Sequence, residues 1–194
     1  SMDLAEKIKS FFKGEVHAET EVLESHSRDA SLLKVRPKVV VFPKDAEDIS
    51  NLIKFVASEK GADPSLSLTA RAAGTCMSGG PLNESIILDV SKFMHGIKEV
   101  GADFATALPG TFYRDFEKVT LAKGLVMPSF PASKNLCALG GMVANNAGGE
   151  RSLAYGKTED YVSSLKMIFA DGVECVVKPL SKSELDDKMA QNDF

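Results

Sequence analysis

Hydrophobic positions form their most regular pattern in the first half of the chain. A β-branched strand is predicted over residues 38–42, and Asp45 then caps a helix whose apolar side chains recur at helical spacing as far as Val56. Two more apolar runs predict strands over residues 65–70 and 84–90. A strand–helix–strand unit with a crossover of this length is typical of a parallel pair.

Before this unit the pattern is weaker. Asp3 is the predicted cap of a first helix, which Gly14 ends. Residues 15–36 are polar and weakly periodic, and they predict a loop with short pieces of structure.

After Lys92 the pattern changes to short strands of antiparallel character. Strands are predicted over residues 96–100 and 104–108, and the dipeptide Asp171-Gly172 predicts a hairpin of residues 161–170 and 173–177. Three further stretches lie between these hairpins: a helix from Thr111 to Gly124 with Phe112, Phe116 and Val119 inward, a brief strand over 125–127, and residues 128–160 without a strong period.

Together these patterns predict an α+β chain of four segments. The segments are an N-terminal helix and loop over 1–35, a small parallel βαβ lobe over 36–92, an antiparallel lobe with helices over 93–180, and a last helix over 181–194. That helix opens with the capping box Ser181–Glu184. Because nothing in the sequence ends it, we expect the chain to stop within it, at Phe194.

Composition and charge narrow the class of protein. The 194 residues are 44% hydrophobic and 26% charged with a net charge of −4, which excludes collagen-like, low-complexity and disordered chains. An acidic chain of this kind is not expected to bind nucleic acid, and no apolar run approaches the roughly 20 residues that span a bilayer. Three cysteines without metal-ligand spacing predict a reducing compartment and no disulfide framework.

Glycine is distributed unevenly along the chain. Eight of the 15 glycines lie in two windows: Gly74, Gly79 and Gly80, then Gly140, Gly141, Gly148, Gly149 and Gly156. Two such clusters favour a close approach of backbone to a ligand. In the first window, successive backbone N–H groups after a strand suit a phosphate. In the second, small residues and two asparagines suit a flat ring with a polar edge, although a loop that only reverses the chain explains them equally well.

Neither common phosphate-binding motif is present. Gly74 and Gly79 have the spacing of a P-loop, but Gly80-Pro81 stands where Lys and Ser/Thr are required. For Gly156-Lys157-Thr158 the first P-loop glycine would have to be residue 151, which is Arg151. The dinucleotide motif G-x-G-x-x-G occurs nowhere, which disfavours a Rossmann site.

Four stretches in order carry a family resemblance. They are Arg36–Pro43 with the acid-capped helix after it, Arg71-Ala-Ala-Gly-Thr75, Leu139-Gly-Gly-Met-Val-Ala-Asn-Asn-Ala-Gly-Gly149, and Tyr155–Val162 with Ala170-Asp-Gly172. With them the chain resembles the PCMH-type FAD-binding domain of the vanillyl-alcohol oxidase / p-cresol methylhydroxylase flavoproteins. It is most similar to the branch of FAD-linked D-lactate dehydrogenases and glycolate oxidase subunits. The resemblance implies a two-lobed fold with FAD between the lobes.

The resemblance also implies a set of cofactor-binding residues. Those expected to wrap the FAD pyrophosphate are Ala70, Arg71, Ala72, Ala73, Gly74, Thr75 and Cys76, with Ser78 assisting. Those expected beside the pyrophosphate, ribityl chain and flavin are Pro131, Ala132, Ser133, Ala138, Gly140, Gly141, Asn146, Gly148 and Gly149. Three more complete the set: Tyr155, Gly156 and, on the adenine side, Ile168.

The chain departs from the family pattern in the first window. Many relatives have Gly-Gly-Gly-Thr-Ser where this chain has Ala72-Ala73-Gly74-Thr75-Cys76. Alanine keeps the backbone donors as long as φ stays negative. Some members tether the flavin through a histidine in this loop, but none is present here, so we expect FAD to be non-covalent.

One further side chain has two possible roles, and several others are expected to have no role in catalysis or metal binding. Arg71 is expected either to neutralise a phosphate or to brace the loop by pairing with an acidic residue. Cys76 and Cys137 are expected to be small buried side chains, and no metal site is expected. The histidines are expected on the surface or in loops: His17, His26 and His95.

The function that the resemblance implies is oxidation of a 2-hydroxy acid, such as D-lactate or glycolate, by hydride transfer to flavin N5 while a base takes the hydroxyl proton. No residue here is a convincing base, and in the family the substrate-side residues lie in a C-terminal cap domain. We therefore expect this chain to bind FAD without turnover of its own. We expect a cytoplasmic protein, in which the substrate, the electron acceptor and any membrane would contact regions absent from this chain. The alternatives are another alcohol or sugar as substrate, or a non-enzymatic nucleotide- or phosphate-binding module.

Overall fold

The computed structural model describes residues 2–191 and contains one four-stranded sheet, two antiparallel hairpins and a set of mostly short helices. The mixture of parallel and antiparallel pairing confirms the predicted α+β class. Across residues 2–191, no helix combines the length and the apolar character that crossing a membrane would require.

The four-stranded sheet has the order β1-β2-β4-β3. Its strands are β1 (Glu15–His17), β2 (Val39–Phe42), β3 (Leu68–Arg71) and β4 (Ile86–Asp89). β1 is antiparallel to β2, while β4 lies between β2 and β3 and is parallel to both. The parallel direction expected for β2 and β3 is confirmed, but β4 lies between them.

The two inner strands, β2 and β4, carry buried side chains on both faces. Val39 and Ile86 contribute to a core with helices on one side, whereas Val40 and Ile87 contact Leu23 on the other. A strand covered on both faces has no solvent side and shows no polar alternation. The covering helices are α1 (Leu4–Lys9), α2 (Thr20–Ser25) and α3 (Ala46–Glu59).

The N-terminal segment is more ordered than its polar sequence indicates. Residues 15–36, expected to be a loop with short pieces of structure, contain β1 and α2. The first helix ends at Lys9, so the prediction that it continues to Gly14 is wrong. The chain needs Gly14 for another reason, because a methyl group at this position would overlap the carbonyl oxygen of Phe42.

The rest of the chain contains the two predicted hairpins. They are β5 (Ile97–Val100) with β6 (Ala105–Ala107), and β7 (Leu165–Ile168) with β8 (Glu174–Val177). Between them the structure has α4 (Tyr113–Leu121), α5 (Leu139–Ala144), α6 (Ser152–Tyr155) and a 3₁₀ helix (Thr158–Tyr161). α5 was not predicted, because two glycines and two alanines leave little helical pattern in residues 138–144. The brief strand predicted over residues 125–127 does not form.

α4 packs on a second core, but with a different face from the predicted one. Tyr113 and Phe116 point inward, together with Thr120. Phe112 is the N-cap of the helix, and Val119 is 42% exposed, so the inward orientation predicted for Val119 is wrong. The helix begins at Tyr113, and its buried stripe follows from that start.

The last part of the chain consists of the β7–β8 hairpin and one helix. The β7–β8 hairpin is tied to α3, because the Ser50 hydroxyl donates a hydrogen bond to the Gly172 carbonyl. The predicted capping box opens α7 (Lys182–Met189), with the Ser181 N–H donating to Glu184 Oε2 at 2.8 Å. α7 ends at Met189, so the expectation that the helix continues to the end of the chain is wrong, and Phe194 lies outside the described residues.

A fully buried carboxylate joins the start of α3 to the N-terminal segment. Asp48 accepts hydrogen bonds from three backbone N–H groups: those of Lys13 at 2.9 Å, Gly14 at 3.0 Å and Lys44 at 2.9 Å. Buried polar groups are costly unless they are paired. Asp48 therefore holds the connection between α1 and β1 against the sheet.

We predict that Asp48→Ala lowers the free energy of unfolding by about 3 kcal/mol, because it removes the buried acceptor of three backbone N–H groups. Urea unfolding followed by circular dichroism measures this change. Asp103→Ala, at an exposed turn, is the matched control and should change stability little. Equal stability of the two variants would contradict this role of Asp48.

Candidate functional site

The two glycine windows meet in the folded protein. The first begins where β3 ends at Arg71, and the second contains α5. A methyl group built at Gly141 would lie 3.7 Å from the Cβ of Ala72, although the two positions are far apart in sequence. Two backbone segments with small side chains thus face each other at the carboxyl end of a parallel strand, where α/β sheets commonly bind ligands.

The loop of residues 72–80, called the first-window loop below, owes its shape to two glycines at positive φ. Gly74 has φ +69° and Gly79 has φ +83°. A methyl group at Gly74 would overlap the guanidinium of Arg71, and one at Gly79 would lie 2.7 Å from Leu33 Cδ1. The loop therefore passes directly over the Arg71 side chain.

Arg71 carries a buried donor without an acceptor. Its Nη1 atom is buried and has no hydrogen-bond partner among residues 2–191. Burial lowers the pKa of the guanidinium, while the charges of Asp89 and Asp29 act in the opposite direction. An unpaired buried donor on a cation is costly, and an anionic oxygen would satisfy it. Of the two roles expected for Arg71, this favours contact with an anion.

The two cysteines of the windows differ in environment. Cys76 is only partly buried, so the expectation of a buried side chain is wrong for it. Its Sγ lies 3.3 Å from the Ser78 hydroxyl, and this hydrogen bond lowers the pKa of the thiol. Cys137 is buried as expected, and burial raises the pKa of its thiol.

Some glycines of the second window serve chain packing. Gly140 donates its N–H to the Pro109 carbonyl at 2.8 Å, and a methyl group there would lie 2.9 Å from the same oxygen. A methyl group at Gly149 would overlap the Phe130 carbonyl. A loop that only reverses the chain would therefore account for Gly140 and Gly149, which packing requires to be glycine. It does not account for Gly141, where there is space for a methyl group.

The asparagine expected near a ring edge is used within the protein. Asn146 is the one non-glycine residue with positive φ in the described part of the chain, at +44°. Its Oδ1 atom accepts the backbone N–H of Glu159 at 3.0 Å. This bond holds the 3₁₀ helix against the end of α5. Sequence reasoning placed Asn146 in the site but not this partner.

The remaining predicted residues lie in or near the second window, apart from Ile168 on the β7–β8 hairpin. An open cavity of about 430 Å³ is lined by Gly148, Gly149, Ser152, Leu153 and Lys157, of which only the two glycines were predicted. Gly156 follows α6 at φ +83°, and the Tyr155 carbonyl accepts the Tyr161 hydroxyl. The other members occupy a turn before α5 and the end of β7: Pro131, Ala132, Ser133, Ala138 and Ile168.

The chain is similar in sequence to a known protein family and to several characterised enzymes. Residues 37–178 match the family model described as FAD binding domain. The chain is 38% identical over 138 residues to the D-lactate dehydrogenase of Archaeoglobus fulgidus, a match that covers 69% of this chain and 29% of the relative. It is 31% identical over 140 residues to the glycolate oxidase subunit GlcD of Bacillus subtilis, with 70% and 28% covered. It is 30% identical over 156 residues to the D-2-hydroxyglutarate dehydrogenase of Escherichia coli, with 79% and 15% covered.

Among solved structures, an alkyldihydroxyacetonephosphate synthase superposes with a TM-score of 0.74 over 90% of this chain and 34% of its own length. At 19% identity this likeness shows the fold alone. The chain thus spans less than a third of the length of each curated relative named above.

We predict opposite effects of two alanine substitutions in the second window. Gly149→Ala should lower the free energy of unfolding by at least about 2 kcal/mol, because the new methyl group overlaps the Phe130 carbonyl. Gly141→Ala should leave stability unchanged or raise it by up to about 1 kcal/mol, because α5 gains a better helix former and the space is free.

Urea unfolding of both variants tests this contrast. Similar destabilisation by the two substitutions would show that Gly141 is also required for packing, contrary to the geometry described above.

Proposed function

This chain belongs to the family of PCMH-type FAD-binding domains, and on that premise we propose that it holds FAD without a covalent bond, as the cofactor-binding part of an oxidoreductase acting on 2-hydroxy acids. The observation that carries the proposal is the first-window loop, which passes over the buried and unpaired Nη1 of Arg71 and faces α5. Membership of this family identifies FAD as the cofactor. The charge of Arg71 and the small side chains of the first-window loop are compatible with FAD.

The charge of Arg71 fits the pyrophosphate of FAD. A phosphate oxygen beside Nη1 would form a charge-assisted hydrogen bond and remove the cost of the unpaired donor. Backbone N–H groups of residues 72–76 supply further donors, because the small side chains of residues 72–74 leave the main chain open to close approach. This combination supports residues 71–76 and Ser78 as the diphosphate contacts.

The small side chains of both windows fit a large flat cofactor. Ala72 and Gly141 present little more than backbone where the windows meet, so a ligand can approach the main chain closely. Bound FAD supplies a two-electron acceptor for substrate oxidation. In this proposal the chain's own residues bind and orient it: the loop and Arg71 hold the phosphates, and the second window provides a surface of small residues for the rest of the cofactor.

Non-covalent binding is supported by the absence of histidine from residues 70–80. His26 lies in the turn after α2, as expected, but it is partly buried, with its Nε2 atom 2.9 Å from Asp89 Oδ2. His17 lies between Glu15 and Glu19. Both side chains therefore have partners within the protein.

The substrate class is proposed from the relatives. The substrates that their names give, D-lactate, glycolate and D-2-hydroxyglutarate, each carry a hydroxyl on the carbon next to a carboxylate. We assign the base, the substrate contacts and the contact with an electron acceptor to parts of the protein outside this chain. Within residues 2–191, no group of three or more His, Cys, Asp or Glu side chains is placed to hold a metal ion.

A reducing compartment such as the cytoplasm is the proposed location. Cys76, Cys137 and Cys175 are free thiols, and three unpaired cysteines suit a compartment in which thiols stay reduced.

We predict that the 194-residue chain binds FAD and that Arg71→Ala weakens this binding about tenfold to a hundredfold, because a charge-assisted hydrogen bond to a phosphate is lost. Titration followed by flavin fluorescence measures the dissociation constant. Arg36→Ala, which removes an exposed arginine paired with Glu24, is the matched control and should bind FAD as the unaltered chain does.

Acid precipitation of the FAD-loaded chain tests the mode of attachment. All the flavin should stay in the supernatant. Flavin that remains with the precipitated protein would overturn non-covalent binding, and a chain that stays colourless after incubation with FAD would overturn the cofactor site itself.

The full-length protein that contains this chain should show loss of visible flavin absorbance when it is mixed anaerobically with its 2-hydroxy acid, because the flavin accepts the two electrons. A panel of D-lactate, L-lactate, glycolate and D-2-hydroxyglutarate identifies the acid, and a simple alcohol of similar size serves as the control. Reduction by the alcohol and by none of the acids would favour the alternative substrate class.

A further inference from the structure

A segment outside the family match packs against the cofactor loop. After α2 the chain doubles back over residues 27–35, where the Val35 N–H donates to the Ser27 carbonyl at 2.9 Å and Arg28 forms a β-bridge with Lys34. The tip of this turn, residues 29–33, lies against the first-window loop. We call residues 27–35 the brace segment. The family match begins only at residue 37.

Two hydrogen bonds join the brace segment to the loop. Asp29 Oδ2 accepts the Gly79 N–H at 2.9 Å, and the Ala30 N–H donates to the Cys76 carbonyl at 3.0 Å. Between these two anchors the loop exposes Met77, which is 81% accessible. The brace therefore fixes both sides of an otherwise exposed turn.

The Asp29 carboxylate is itself held in place. Its other oxygen, Oδ1, accepts both the backbone N–H and the hydroxyl of Ser31. Burial works to raise the pKa of Asp29, but the hydrogen bonds from Ser31 and Gly79 outweigh it and lower the pKa. Asp29 is thus an ionised acceptor with a fixed orientation at neutral pH, and one of its oxygens is directed at Gly79.

An anchored loop matters because its glycines make it flexible. Gly74 and Gly79 adopt positive φ, and glycine loses more conformational freedom on ordering than any other residue. If the loop became ordered only when a ligand arrived, that entropy would be subtracted from the binding free energy. A loop already held by Asp29 and Ala30 avoids most of this cost.

We propose that Asp29 is a positioning residue for FAD, whose carboxylate, with the Ala30 N–H, holds residues 76–79 in the conformation that meets the cofactor's phosphates. The proposal rests on the proposed function of the first-window loop. It extends the cofactor site to a segment that contacts the loop and that neither the family match nor the predicted set of site residues includes.

The charge of Asp29 does not explain this role. A carboxylate near the loop repels phosphate, and its charge acts on Arg71 as well. What favours binding is the hydrogen bond to Gly79, which the single oxygen of an asparagine amide can also accept, with loss of the bond from the Ser31 N–H on the other side. The two contributions can therefore be separated by comparing Asp29→Ala with Asp29→Asn.

The test is an FAD titration of the 194-residue chain by flavin fluorescence. Asp29→Ala should weaken FAD binding about tenfold, and Asp29→Asn should stay within about threefold of the unaltered chain. Asp63→Ala is the matched control, because Asp63 makes the same two hydrogen bonds to Ser65 that Asp29 makes to Ser31. Asp63→Ala should leave FAD binding unchanged.

Hydrogen exchange provides a readout that does not require FAD. In apo Asp29→Ala the amides of residues 76–80 should exchange faster, while those of β2 and β4 stay protected. Unchanged FAD affinity in Asp29→Ala would overturn the proposal, and so would equal weakening by Asp29→Asn. A failure of the unaltered chain to bind FAD would instead overturn the proposed function. If Asp29→Ala does not fold, Asp29→Asn is the test. FAD binding within about threefold of the unaltered chain and unchanged exchange of the loop amides would support the proposal, and weaker binding would contradict it.

Discussion

The parallel pairing of β3 with β4 is the constraint on which the site depends. Its last register pair is Arg71 with Asp89, so the strands end together at a partly buried arginine and a buried aspartate. Asp89 is already hydrogen-bonded to His26 and to Ser91. The charge of Asp89 acts on Arg71. The Nη1 atom of Arg71 nevertheless has no hydrogen-bond partner among the described residues. The glycine loop that follows passes over this cation, and an anion would supply the acceptor that Nη1 lacks.

Around that loop the protein is built for close packing of backbone. α5 approaches from one side with Gly141 next to Ala72, and the brace segment approaches from another with Asp29 and Ala30. Each contact uses main-chain atoms or short side chains, so the loop is held at several points along its length. The glycines thus divide into those that allow packing within the chain, such as Gly149, and those that leave room, such as Gly141.

Sequence reasoning succeeded where a pattern is local. The α3 cap at Asp45, both antiparallel hairpins and the capping box of α7 follow from neighbouring residues and are present in the structure. The family, the fold class and FAD as cofactor, first inferred from four ordered motifs, are confirmed by the family match. The individual cofactor contacts and the segment boundaries remain predictions. The error over Val119 concerns which face of α4 meets the core.

The sequence by itself determined the class of fold, the cofactor and the two glycine windows, because caps, turns and motifs act over a few residues. Only the tertiary structure decided that β4 lies at the centre of the sheet, that the windows meet at Ala72 and Gly141, and that Asp29 contacts Gly79. Each of these depends on burial or hydrogen bonding between residues distant in the chain. Such contacts leave no periodic pattern, since the partner of a given N–H group is chosen by packing in three dimensions.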